Sequence, residues 1–184
     1  MLPAFAQQRD YTIDDIYNLP EGQRAELIDG QIYYMTPPST RHQRLLNFIN
    51  TEINMYIRAN NGKCEVFPAP FAVFLIEDNT TYVEPDISVI CDPHKITDSG
   101  CNGAPDWIIE IISPGNPAHD YVRKLNLYLD AGVREYWIVD PRNQKIFVYY
   151  FENKDVKADA YTFQDKVKVN IYDDLWIDFQ GTNL

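Results

Sequence analysis

The chain has 184 residues, 45% of them apolar and 14% aromatic, which suits one domain with a sizeable buried core and excludes a disordered chain. The 27 acidic residues against 16 basic ones give a net charge of −11, which argues against a protein that coats nucleic acid through a broad basic surface. No apolar run approaches the length of a membrane span, and Met1 to Asp10 lacks the charged start and apolar core of a signal peptide, so a cytoplasmic protein is expected.

The first element predicted is a short helix ending at Leu19, with Thr12 and Asp15 in capping-box spacing and Pro20 as its stop. Arg24 to Ile28 and Gln31 to Met35 then flank Asp29-Gly30, a hairpin signal. Glu26 lies in the first arm and reads either as an exposed strand residue or as an extra acid near the site developed below. Pro37-Pro38 break the chain, and Ser39 or Thr40 caps a long helix ending around Asn60-Asn61-Gly62, with Leu45, Leu46, Ile49, Ile53, Tyr56 and Ile57 on its buried face. His42 falls on that stripe in the first turn. It is open to two readings, a core or capping histidine and one that touches phosphate or orders acids. Cys64 to Phe67 and Phe71 to Ile76 read as strand, interrupted by Pro68 and Pro70. The three cysteines, Cys64, Cys91 and Cys101, are widely spaced with no CxxC, so reduced structural thiols are expected and a zinc site is not.

The organising stretch runs from Glu84 to Trp137. Pro85-Asp86 opens a short strand to Ile90, Cys91 to Pro105 reads as an irregular loop, and Trp107 to Ile112 is apolar except for Glu110. Such a run reads as a strand covered on both faces, and an ionised carboxylate buried there needs a cation or strong donors. Antiparallel pairing of the two strands sets Asp86 beside Glu110, which shares its face with Ile108 and Ile112. Two carboxylates about 5 Å apart repel by roughly 3 kcal/mol at an effective dielectric near 20. A divalent cation turns that cost into a binding site, and oxygen ligands suit Mg²⁺ or Mn²⁺.

A helix follows from His119 to Asp130, with Gly132 as its αL cap. Tyr121, Val122, Leu125, Tyr128 and Leu129 are expected to face the sheet, and Asp120, Arg123 and Lys124 the other side, with Lys124 nearest the boundary and long enough to reach the two acids. The strand at Arg134 to Val139 completes a right-handed βαβ unit. Lys145 to Phe151, Ala160 to Phe163 and Lys166 to Tyr172 alternate as strands, Lys154 to Lys157 reads as a polar turn, and Trp176 and Phe179 close this β extension.

Pro85-Asp86, then Glu110, then a nearby lysine resembles the PD-(D/E)XK nuclease superfamily. More closely, the chain resembles a group of restriction-endonuclease-like proteins largely of unknown function. The text that carries this is Glu26-Leu27-Ile28-Asp29-Gly30, Pro37-Pro38-Ser39 with His42, Pro85-Asp86, Ile109 to Pro114, Asp120 to Lys124, and Gly132 to Trp137. The resemblance implies an α/β fold of the α+β, mixed-sheet kind: a restriction-endonuclease-like core at about 39–141, its central mixed β-sheet flanked by helices. An N-terminal helix and hairpin at 11–36 and a C-terminal β extension at 145–180 complete a single domain, 1–184. It also implies a metal-dependent endonuclease that hydrolyses DNA and leaves a 5′-phosphate. RNA or branched DNA would be substrates of the same class, and a homodimer would serve to cut two strands. Asp86, Glu110 and the Ile111 carbonyl would hold Mg²⁺ or Mn²⁺, and Lys124 would orient hydroxide or neutralise charge on the phosphate. Glu26, His42, Asp120 and Tyr128 would support them. The superfamily's lysine stands two residues after the acid, where this chain has Ile112, so Lys124 is expected as its replacement from the helix. The rival reading is a non-catalytic nuclease-like domain acting as a binding or assembly module.

Overall fold

The structure is a computed structural model that describes residues 10–113, 118–152 and 155–180, with side chains at 118–121 left out. Helix α1 (Ile13–Tyr17) starts where the Asp15 carboxylate accepts the Thr12 backbone N–H at 2.9 Å. The hairpin β1 (Ala25–Ile28) and β2 (Gln31–Tyr34) turns at Asp29 and Gly30, whose φ values of 50° and 71° match the turn that two twisted strands require. Helix α2 (Thr40–Ala59) begins at Ser39, whose hydroxyl accepts the His42 N–H, and buries Leu45, Leu46, Ile49, Ile53 and Ile57 along one face. Strands β3 (Glu65–Pro68), β4 (Val73–Phe74) and β5 (Ile87–Ile90) follow, then β6 (Ile96–Thr97), β7 (Gly100–Asn102) and β8 (Trp107–Ile111). Helix α3 (Ala118–Ala131) leads to β9 (Glu135–Asp140), β10 (Lys145–Glu152), β11 (Asp155–Thr162), β12 (Lys166–Lys168) and β13 (Trp176–Asp178).

The central sheet has the order β11-β10-β9-β8-β5-β3. It is mixed, because β8 and β9 run parallel across the α3 crossover while the remaining neighbours are antiparallel. The alternation expected for β8 holds. Trp107, Ile109 and Ile111 pack with Trp137, Val139 and the apolar stripe of α2, while Ile108 packs on the opposite face with Tyr128, Tyr136 and Ile138. Cover on both faces is what makes β8 and β9 near-continuous apolar runs. Among the described residues no helix is long and apolar enough to cross a membrane.

Four expectations need correction. Cys91 to Pro105 is not wholly irregular, because β6 and β7 join β4 in a small sheet. Its glycines mask those strands: Gly100 sits at φ 138°, and a Cβ there would meet the Ala72 carbonyl oxygen at 2.3 Å. The cysteines are not all reduced, since the register that sets Glu65 opposite Ile90 brings Cys64 and Cys91 together as a disulfide. Cys101 stays a buried thiol whose pKa burial pushes up to about 11. Helix α3 is rotated from the expected setting, with Val122 61% exposed and Lys124 4% exposed. In the C-terminal part, strand β11 already begins at Asp155 where a turn was expected, β12 ends at Lys168 rather than Tyr172, and Trp176 is exposed while Phe179 is buried between Phe48 and Phe163. Lys154 of the expected turn lies outside the described residues.

Candidate active site

Strand register makes the first half of the site. Ile87 pairs with Ile109, so Asp86, one residue before β5, falls beside the Glu110–Ile111 end of β8. There the Asp86 Oδ2 accepts the Ile111 backbone N–H at 2.7 Å, which extends the ladder by a side chain just before β5 begins. The same oxygen is 3.1 Å from His42 Nε2, from the first turn of α2. Burial pulls the His42 pKa down, but the bond and charge of Asp86, the charge of Glu110 and the nearby Ile111 carbonyl outweigh it and hold the imidazole above its usual value.

Helix α3 makes the second half. Lys124 Nζ donates to Glu110 Oε1 at 2.8 Å and lies 2.9 and 2.7 Å from the two oxygens of Glu26, which comes from β1. One turn on, the Tyr128 hydroxyl donates to the same Glu110 oxygen at 2.8 Å. Glu26, Glu110 and Lys124 are 5%, 8% and 4% exposed, so this is a buried acid–lysine–acid bridge. Burial raises the Glu110 pKa; Lys124 offsets part of that, and Glu26 and Asp86 add to it. For Lys124 burial works against the charge, but Glu110 and Glu26 override it and hold the ammonium far above its ordinary pKa. The two shifts describe one imbalance: the lysine stays charged, and one ammonium is too little cation for three neighbouring carboxylates.

A further chain of bonds steadies Glu26. The Glu84 backbone N–H donates to Glu26 Oε1 at 3.1 Å, Arg24 pairs with the Glu84 carboxylate, and the Tyr82 hydroxyl donates to it at 2.5 Å. The cleft above the bridge has a volume of about 100 Å³, walled by Tyr34 and Met35 at the end of the hairpin and by His42 and Gln43 of α2.

The Uma2 family, described as "Putative restriction endonuclease", matches residues 13–180. The chain belongs to the Uma2 family. It is 26% identical over 129 residues to the uncharacterized protein slr1290 of Synechocystis sp., covering 70% of this chain but only 66% of that protein's length. Its fold resembles the crystal structure of "a putative nuclease belonging to DUF820" from Anabaena variabilis, with a TM-score of 0.75 and 22% identity over 93% of this chain and 96% of that one.

In this Uma2 chain the fold gathers Asp86, Glu110, Lys124, Glu26, His42 and Tyr128 at one place; the Asp120 side chain lies outside the described residues. Glu26 is not the exposed strand residue that was one of its readings, and among the described residues Glu110 pairs with no arginine: Arg123 lies over the Tyr33 ring and Arg134 pairs with Asp106. Glu84, Arg24 and Tyr82 were missed. The signal for Glu84 was an acid just before Pro85-Asp86, with Tyr82 on its own face two residues back.

Whether the residues fit a divalent ion is decided by the donors. Asp86 Oδ1 and Glu110 Oε2 accept no hydrogen bond from a described residue, and the Ile111 carbonyl lies near His42 on the Asp86 side. No trio of histidine, cysteine or acidic side chains among the described residues forms a metal cluster. Two carboxylate oxygens and a carbonyl nonetheless match an ion such as Mg²⁺, which keeps several waters and takes one or two carboxylates. The donor set fits.

Proposed function

We propose that this protein is a Mg²⁺- or Mn²⁺-dependent endonuclease that hydrolyses phosphodiester bonds in DNA. The observation that carries this is the Lys124 ammonium held between Glu110 and Glu26, on the strand end where Asp86 meets Ile111. Asp86, Glu110 and the Ile111 carbonyl would hold the ion. When bound, it would lower the pKa of a water and polarise the scissile phosphate.

The chain's own groups do the rest. His42 fixes the orientation of Asp86. Tyr128 fixes Glu110, and its own proton is held far too tightly for it to act as a base. Lys124 is the fixed positive charge for the negative charge that grows on the phosphate oxygens, pre-set by two carboxylates so that it does not reorganise during the reaction. Glu26, held by the Glu84 N–H, positions the lysine.

The rival, a non-catalytic module on the same scaffold, draws on one feature: the acids near Lys124 already have a cation of their own. One experiment separates the two. Mn²⁺ is expected to raise the melting temperature of the wild type but not of Asp86→Ala/Glu110→Ala, and the wild type is expected to cut DNA with Mg²⁺ or Mn²⁺ present. Ion binding without cleavage of any nucleic acid would leave the module reading standing, and no ion binding at all would end the metal site.

A further inference from the structure

Among the described residues the cleft is short of free positive charge. The basic side chains that line it are Arg24, His42 and Lys124, and each already faces an acid of the chain: Glu84, Asp86, and Glu110 with Glu26. A DNA duplex offers a protein chiefly its phosphates, and duplex binding rests on cations that replace its counterions. Here His42 and Lys124 are buried against acids of the protein, Arg24 is half-exposed but paired with Glu84, and the whole chain carries −11.

What the rim does offer is apolar and aromatic surface. Tyr34, at the end of β2, lines the cleft and is 64% exposed, with half-buried Met35 and exposed Pro38 on the same wall. Most of the Tyr34 side chain is therefore open to whatever occupies the cleft. Base–aromatic stacking does not depend on net charge and tolerates any sequence, but it requires a base with a free face. The reacting phosphate must also reach Glu110 at the floor, 8% exposed, which a flexible strand can do more readily than a duplex whose backbones are held on a wide cylinder.

We propose that the cleft takes a single DNA strand, with a base stacked on Tyr34, in preference to duplex. This rests on the nuclease reading above and names its substrate class. The test uses the full chain with Mn²⁺ and one labelled oligonucleotide, alone or annealed to its complement. The single strand is expected to be cut at least about tenfold faster, because losing even one stacking contact costs a factor of that order. Tyr34→Ala is expected to raise KM for the single strand about 5- to 150-fold with kcat little changed, and Tyr34→Phe to restore it. Binding of the single strand, followed by anisotropy, is expected to weaken only slightly with added salt, since few phosphates are neutralised. Duplex cut as fast as or faster than the single strand, or Tyr34→Ala indistinguishable from wild type, overturns this inference and leaves the nuclease reading intact. Failure to cut or bind either form overturns both.

Discussion

Replacing Lys124 by methionine keeps the length of the side chain and removes its charge. In the native protein that charge lies 2.8 Å from Glu110 and 2.7 Å from Glu26, with all three groups buried. Removing one partner of a buried pair costs about 3–5 kcal/mol, mostly through the charge left behind, and here one lysine serves two acids. For a chain of this length that corresponds to a fall of roughly 6–20 °C in melting temperature near neutral pH. Thermal unfolding followed by circular dichroism measures it. The cause is separable from simple loss of packing by adding Glu110→Gln to Lys124→Met: the double variant then buries one charge fewer and is expected to melt above the Lys124→Met single variant. Millimolar Mn²⁺ is expected to raise the melting temperature of Lys124→Met more than that of the wild type, since two acids have lost their cation, while cleavage stays lost. A Lys124→Met protein within about 0.5 kcal/mol of the wild type, the range of ordinary surface substitutions, would refute the view that these acids depend on the lysine.

Two other predictions concern stability away from the cleft. Glu135 is fully buried and accepts N–H groups from Trp137, Asn170 and Ile171, tying β9 to the C-terminal extension. Glu135→Gln places an NH₂ among donors; even if Asn170 turns its oxygen to meet it, the Trp137 indole N–H is left without an acceptor, at a cost of about 1–3 kcal/mol. Burial holds the Glu135 pKa above its ordinary value despite these N–H groups, so just above the unfolded carboxylate range the native state keeps a proton that the unfolded chain has released. Stability of the wild type therefore falls as pH rises through that window; the glutamine variant lacks this contribution, and an opposite difference between their pH profiles in urea titrations would count against it. Reducing the Cys64–Cys91 disulfide, which closes a 27-residue separation, is expected to cost about 3 kcal/mol, seen as a lower urea midpoint in dithiothreitol that Cys64→Ser/Cys91→Ser reproduces without reductant.

Local chemistry was legible in the sequence wherever one residue decides it. Asp29-Gly30 specified its turn, Ser39-Thr40 the start of α2 (the cap proves to be Ser39), and Glu110 its own anomaly within an apolar strand. The Asp86–Glu110 neighbourhood was also legible, because antiparallel register follows from two strands and the order in which they are read. What escaped depends on partners distant in the chain. Cys64 and Cys91 meet only because β3 pairs with β5, and Glu84 matters only because its N–H meets Glu26, 58 residues away. Glu26 itself looked ordinary, since nothing in a four-residue strand tells which face will be closed by a helix nearly a hundred residues later.

Lys124 reaches Glu110 as expected, but the rotation of α3 was set wrongly for a particular cause, and it bears on how the site is built. The sequence reading put Val122 inside and Lys124 on the other side, nearest the boundary and within reach of the acids, yet at about 100° per residue Val122 lies roughly 120° from Tyr128 and Lys124 only about 40°. Position, not hydrophobicity, decides: Lys124 and Tyr128 are four apart, occupy one face, and donate to the same oxygen of Glu110. Ile112, two residues beyond Glu110 and on its face, packs instead into the apolar cluster beneath that helix. A lysine there would have to share that apolar space. Supplied from the helix, the ammonium enters from above the strand and meets Glu26 as well as Glu110, and it is this second acid, from a hairpin outside the central sheet, that allows a lysine to remain charged at such depth.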